Sequence, residues 1–268
     1  MGQKRRWNAD FKMTLKEFDN CNVFIDLFGG SGLLSQMVRQ ERPYAYVVYN
    51  DFDDYHVRIA NVARTNALLS EIRKMTDGLP KDKPIKGETR NRILNRLKEE
   101  EKTGYVDYIT LSSSLLFSMN YAQSHEEMTK KTIYNHVRQT DYSAEGYLKG
   151  IDVVKCDYKE LFSKWRKYSN VCFLIDPPYL STEAGSYKGY WKLKDYLDVL
   201  HTLKETNYFY FTSNKSNIEE LCEWMERNYA ANNPFHGAKK IEIKSTTGYN
   251  SSNNTDIMLY KKNLTNAV

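Results

Sequence analysis

The 268-residue chain is predicted to fold as an α/β protein: a mostly parallel sheet with helices on both faces, a C-terminal antiparallel hairpin and one long helical insertion. Three observations carry this expectation. Short apolar runs end in glycine or acidic residues at several separate points of the chain. Helical periodicity separates those runs. The stretch from 56 to 149 carries no strand signal.

Taken in order, Asn22 to Phe28 reads as a buried strand, and Gly29-Gly30-Ser31-Gly32 as the tight turn after it. Leu33, Leu34, Met37 and Val38 fall at helical spacing, and that helix ends near Pro43. Tyr44 to Tyr49 is a second strand closed by Asn50-Asp51, so the first fifty residues make a β-α-β unit. Helical patterning runs from Asp54 to Leu79. A polar linker follows at Gly78 to Pro84, then a charged, solvated helix over 89–102, a more apolar helical stretch over Tyr105 to Met119, and a turn-rich segment to Gly150. Strands resume at Ile151 to Val154, Val171 to Ile175 and Tyr208 to Phe211. After the last of these a helix runs to about Arg227. Ile241-Glu242-Ile243 and Ile257 to Tyr260 flank a Gly/Asn/Ser-rich turn and read as a hairpin. The expected organisation is residues 1–55 and 150–268 as one catalytic domain and 56–149 as a helical insert.

Composition narrows the classes. Hydrophobic residues make up 41% and charged residues 27%, which is globular rather than disordered. A balance of 39 Lys+Arg against 34 Asp+Glu permits a polyanionic partner without requiring one. Mean hydropathy is −0.68, and no apolar run approaches the roughly 20 residues of a membrane helix. The N-terminus lacks the apolar core of a signal peptide, and Arg6 breaks the myristoylation pattern. Cys21, Cys156, Cys172 and Cys222 form no C-x-x-C pair, which fits reduced thiols in a cytoplasmic setting. The scattered histidines make a transition-metal site unexpected.

In an open α/β sheet, ligands bind beyond the carboxyl ends of the strands. Those ends here are Phe28-Gly29-Gly30-Ser31-Gly32, Asn50-Asp51, Cys156-Asp157, Asp176-Pro177-Pro178-Tyr179 and Thr212-Ser213-Asn214. The glycine turn is neither a dinucleotide fingerprint, since Ser35 stands where a small Gly or Ala belongs, nor a P-loop, nor a nucleophile elbow. It remains a close-approach loop at a helix N-terminus, with Asp51 about twenty residues on, where an acid commonly holds ribose hydroxyls. Asp176-Pro177-Pro178-Tyr179 is the sharpest feature, expected by chance in about one such chain in a thousand. Consecutive prolines fix the backbone and leave carbonyls free. A carboxylate, a fixed carbonyl and an aromatic face suit a planar base with an exocyclic amine.

At these residues the chain resembles the Dam-type, or D12 class, of S-adenosylmethionine-dependent DNA adenine-N6 methyltransferases. Asp26 to Gly32 is similar to that family's D-x-F-x-G-x-G cofactor motif, and Asp51 with Phe52 to its acid after the second strand. Cys156-Asp157-Tyr158 resembles the step beside the cofactor's adenine. Asp176 to Tyr179 resembles the catalytic D-P-P-Y, and Ser213-Asn214 the next motif. The resemblance implies a Rossmann-like methyltransferase sheet and S-adenosylmethionine as cofactor. It also implies catalytic Asp176, Pro177, Pro178 and Tyr179, and cofactor contacts from Asp26, Phe28, Gly29, Gly30, Ser31, Gly32, Asp51, Phe52, Asp157 and Tyr158. Direct transfer to a flipped adenine in double-stranded DNA would follow, in a bacterial or phage-encoded cytoplasmic protein that is a monomer or weak dimer. The chain departs from the family at its N-terminus. A K-W-x-G-G-K-like stretch is replaced by Lys4-Arg5-Arg6-Trp7, and residues 1–10 read equally well as a basic, disordered tail.

The insert is then expected to hold most of the DNA. Arg90, Arg92, Arg96, Lys130, Lys131, Arg138 and Lys149 are candidate phosphate binders, and Asn135 and Arg138 candidate base-edge readers. Ser213, Asn214 and Tyr187 complete the DNA-side candidates. Ser181 to Trp191 reads either as a mobile lid or as an ordinary aromatic loop. An RNA or other amino methyltransferase, and a non-catalytic nucleic-acid-binding relative, are the alternatives.

Overall fold

The computed structural model describes residues 3–118, 120–178, 192–229, 233–245 and 254–263. Its strands are β1 (Val23–Asp26), β2 (Tyr46–Asn50), β3 (Asp152–Val154), β4 (Val171–Ile175), β5 (Asn207–Ser213), β6 (Lys239–Ser245) and β7 (Asn254–Lys261). They form one sheet in the order β3–β2–β1–β4–β5–β7–β6. β1 to β5 pair in parallel, whereas β7 runs antiparallel between β5 and β6. This is the predicted mixed α/β sheet. All described residues of β4 and β5 are buried, because helices cover both faces of the central strands.

The chain divides into two compact units, residues 1–55 with 148–268, and residues 56–147. In the first, side-chain alternation sends Phe24, Cys172, Leu174, Phe209, Phe211 and Met258 to one sheet face. There they meet α1 (Asn8–Leu15) and α2 (Leu33–Glu41). Ile25, Phe173, Ile175, Tyr208 and Tyr210 face the other way. They pack against α8 (Tyr158–Trp165), α9 (Leu193–Thr202) and α10 (Ile218–Tyr229).

The N-terminal segment departs from the tail reading. Gln3–Trp7 is a 3₁₀ turn that runs into α1, and Trp7 and Phe11 are 1% and 0% exposed. Phe11 meets the Phe209 ring edge-on at 4.9 Å, and Trp7 meets Phe211 at 5.9 Å. Trp7, Phe11, Leu15 and Phe18 recur at helical spacing and are all buried, so the segment is part of the core.

The second unit is helical: α4 (Val62–Met75), α5 (Gly87–Thr103), α6 (Tyr108–Leu115) and α7 (His125–Thr129), entered through α3 (Tyr55–Ala60). Its core joins Leu69 and Ile72 of α4, Ile93 and Leu97 of α5, Leu111 and Leu115 of α6, and Met128 of α7. α5 is therefore not simply a solvated helix. It buries an apolar stripe, and on its charged side Arg96 binds Glu71 at 2.5 Å and Glu100 at 2.8 Å. Among the described residues no helix is long and apolar enough to cross a membrane.

Phe11→Ala should cost about 3–5 kcal/mol in urea unfolding, the loss expected for a fully buried ring. Met13→Ala, close by in the same helix and 60% exposed, should stay within about 0.5 kcal/mol. Equal costs would contradict the core role of this segment.

Candidate functional site

β1 and β4 are adjacent and parallel, so the glycine turn after β1 and the Asp-Pro-Pro corner after β4 emerge side by side at one sheet edge. The turn is held from below by Tyr49. A Cβ on Gly29 would lie 2.0 Å from that ring and 2.9 Å from the Asn50 carbonyl, so only glycine fits. Gly30 and Gly32 have φ of 51° and 72°, and Gly32 leads into α2. The Tyr49 hydroxyl lies 2.7 Å from the Gly30 carbonyl and 3.0 Å from Asp51 Oδ1, and burial raises its pKa above the ordinary phenol value. It stays a neutral brace between the turn and the acid.

Asn50 joins three strand ends. Its amide nitrogen donates to the Leu27 and Cys156 carbonyls at 3.1 and 3.0 Å, and its oxygen accepts from the Cys156 N–H at 3.1 Å. Sequence reasoning saw Asn50 only as a strand terminator. Asp51 itself is fully buried, and its Oδ1 also accepts from the Tyr55 N–H at 2.6 Å, which secures the start of α3. Phe52 is exposed. Asp157 caps α8 through the Lys159 N–H at 2.7 Å, and Tyr158 packs on Phe28 with ring centroids 4.9 Å apart. Ser31 is half-buried.

Asp26 is 1% exposed. Its Oδ2 accepts from the Ser35 hydroxyl at 2.7 Å, while Oδ1 has no hydrogen-bond partner among the described residues. The residue that broke the dinucleotide pattern, Ser35, thus serves the acid at the end of β1. Burial pushes the Asp26 carboxyl up to about 7, with the Ser35 bond pulling down and the charge of Asp176 pushing up. Asp176 follows β4 on the same face, and Pro177 and Pro178 behind it are buried. Tyr179, together with Tyr187 and the 181–191 loop, lies outside the described residues.

The structure adds a residue that the motifs did not contain. Lys4 places its Nζ 2.8 Å from Asp176 Oδ1 and 5.0 Å from the centre of the Phe211 ring. Their side chains keep only 17% and 26% exposure, so this pair is largely desolvated. Burial raises the Asp176 carboxyl above the ordinary range, Lys4 opposes that by charge and hydrogen bond, and Asp256 adds to it. The signal for Lys4 was the buried Trp7/Phe11 spacing, which carries the turn onto the sheet.

These residues match what a sulfonium amino-acid nucleoside requires. An unpartnered buried carboxylate oxygen on Asp26 is an acceptor suited to an ammonium or sulfonium, and the open Gly30 position lets a ligand approach the backbone.

Other expected positions resolve differently. Asn135 is 1% exposed, and its amide nitrogen holds the Leu79 and Pro80 carbonyls at 3.0 and 3.3 Å, so it is a structural residue rather than a base reader. Arg90 clamps the Thr129 carbonyl at 2.7 Å, and Arg96 is committed to its two glutamates. Lys130 pairs with Glu126 at 2.5 Å on the surface. Arg138 lies over the Tyr142 ring at 4.4 Å and donates to Thr140. Arg92 and Lys149 are exposed and Lys131 half-buried. Ser213 is buried, and Asn214 exchanges two hydrogen bonds with the Thr255 backbone at 2.9 and 3.0 Å, which stitches β5 to β7.

The family model of D12 class N6 adenine-specific DNA methyltransferases matches residues 1–207 of this chain. A Haemophilus influenzae strain Rd protein, named provisionally as a methyltransferase, is 35% identical over 270 residues, which covers 97% of this chain and 90% of that protein.

The elevated Asp26 carboxyl has a measurable consequence. Folding favours its protonated form, so stability from this group is intact below about pH 4 and falls as pH rises to about 7, by about 4 kcal/mol in full. Asp26→Asn should remove that decline. The melting temperature of the wild type relative to the variant should fall between pH 4 and 7, and a constant difference would rule the shift out.

Proposed function

The chain belongs to the D12 class of N6 adenine-specific DNA methyltransferases, and on that premise we propose that it methylates adenine N6 within a specific sequence of double-stranded DNA, using S-adenosylmethionine. The observation that carries the reading is the emergence of the glycine turn and the Asp-Pro-Pro corner from adjacent parallel strands, with Asp26 and Asp176 on the same sheet face. S-adenosylmethionine, when bound, supplies an electrophilic methyl group on a sulfonium. Asp26, Phe28, Gly29, Gly30, Ser31, Gly32, Asp51, Phe52, Asp157 and Tyr158 are the residues proposed to hold it.

The amine of adenine is a poor nucleophile because its lone pair is delocalised into the ring. The Asp176 carboxylate and the Pro177 carbonyl accept its two N–H bonds and draw the lone pair back onto nitrogen. Pro177 and Pro178 cannot turn their backbone, so the second acceptor is oriented before the base arrives. Methylated N6 has to shed a proton, and Asp176, made more basic by burial, is placed to receive it. The target atom lies inside the duplex, so the base leaves the stack, and Tyr179 is the proposed stacking partner. Lys4 keeps Asp176 charged and oriented until then.

The 56–147 unit is the proposed reader of the DNA. Arg92, Lys131 and Arg138 remain as phosphate candidates, whereas Arg90 and Arg96 are committed within the unit.

With S-adenosylmethionine and a randomised duplex library, the full chain should deposit N6-methyladenine in one sequence, and Asp176→Ala should lower the single-turnover rate by about 10³-fold. Methylation of structured RNA alone, or an unimpaired variant, would overturn the reading. Arg92→Ala should weaken DNA binding across all sequences and reduce the slope of log K against log salt by about 1.

A further inference from the structure

Asp256 is an acid at the same sheet edge with no part in the chemistry above. On β7 it stands opposite Ser213, and Met258, two residues on, stands opposite Phe211. Alternation therefore puts Asp256 on the face that carries Phe211, Met258 and Tyr260, the face against which the N-terminal turn packs. It is 3% exposed, and its Oδ1 has no hydrogen-bond partner among the described residues. An unsatisfied buried carboxylate oxygen is costly, and such an oxygen is kept where a cation or donor visits it. The Lys4 ammonium lies over the ring of Phe211, on the strand that separates β4 from β7. Lys4 thus stands between one carboxylate it already touches and another whose oxygen is unpartnered.

We infer that Asp256 is a positioning residue for the amine site: its buried carboxylate shares the Lys4 ammonium with Asp176, and takes more of it when an adenine amine arrives at Asp176. This deepens the proposed function and rests on it. Without a second seat, Lys4 and the amine would compete for the lone pairs of Asp176. With one, the ammonium yields without ever being left unpaired in a dry site. Among the described residues, the charged groups acting on Asp176 are Lys4 from the N-terminal turn, Asp26 from β1 and Asp256 from β7, and the β5 residues between them, Phe211 and Ser213, carry no charge. Lys4 and Asp256 act oppositely on it, Lys4 favouring the Asp176 carboxylate and Asp256 its protonated form.

The test is a carbon-13 titration of the Asp176 side-chain carboxyl in the full chain, without DNA or S-adenosylmethionine, assigned with Asp176→Asn. Asp256→Asn should move the midpoint of Asp176 down by about one pH unit, because Lys4 then serves Asp176 alone. Asp256→Glu should restore it, and Lys4→Met should move it up. The acid limb of the single-turnover pH profile should follow with the same signs. A folded Asp256→Asn protein whose Asp176 titrates as in the wild type would overturn the inference, as would Lys4→Met and Asp256→Asn moving it in the same direction. Should Asp256→Asn fail to fold, Asp256→Glu and Lys4→Met still decide, since an unmoved Asp176 in Lys4→Met denies the sharing. A chain that methylates no DNA but shows these shifts would sink the proposed function and leave the shared ammonium standing.

Discussion

A desolvated ammonium beside Asp176 is the interaction on which the site depends. Three acids, Asp26, Asp176 and Asp256, lie on one face of the sheet, and like charges at that spacing in a dry setting raise one another's proton affinity. Lys4 reduces that cost at Asp176, and it can do so only because Trp7 and Phe11 bury their rings against Phe211 and Phe209. The apolar anchor and the charge are consecutive turns of one segment. Core packing and site electrostatics are therefore the same structural decision here.

A second group of interactions gives the strand ends their relative places. Parallel pairing alone aligns backbones. Asn50 then ties the exit of β1 to the step after β3, and Tyr49 ties the glycine turn to Asp51. Gly29 has no Cβ because the Tyr49 ring fills that space. These side chains touch no reacting group in the proposed mechanism. They hold the loops that do, and a loop held before its ligand arrives loses less entropy on binding.

The helical unit shows how charge on a helix divides between structure and surface. Arg58 grips Asp107 at 3.1 Å, and Arg96 spans Glu71 and Glu100, so these guanidinium groups are spent inside the unit. Arg92 points outward on the same helix as Arg96. The difference is a matter of which helix face meets a neighbour, and composition cannot state it.

Much of the fold was legible in sequence, since its signals are local. Apolar runs ending at Asp26, Asn50, Asp176 and Ser213 identify parallel strands, and the absence of strand patterning over 56–149 identifies the helical unit, because burial on two faces or on one stripe leaves its period in the residues themselves. The Asp-Pro-Pro-Tyr corner and the glycine turn were legible for the same reason, as backbone constraints written in consecutive residues. Tertiary structure alone decided that residues 3–15 join the core, that β7 enters between β5 and β6, that Asn135 turns inward, and that Lys4 and Asp256 come to the edge where Asp176 ends. Each of those depends on contacts between residues far apart in the chain. Alternation tells which face a side chain takes, but only the packed sheet settles what waits for it there.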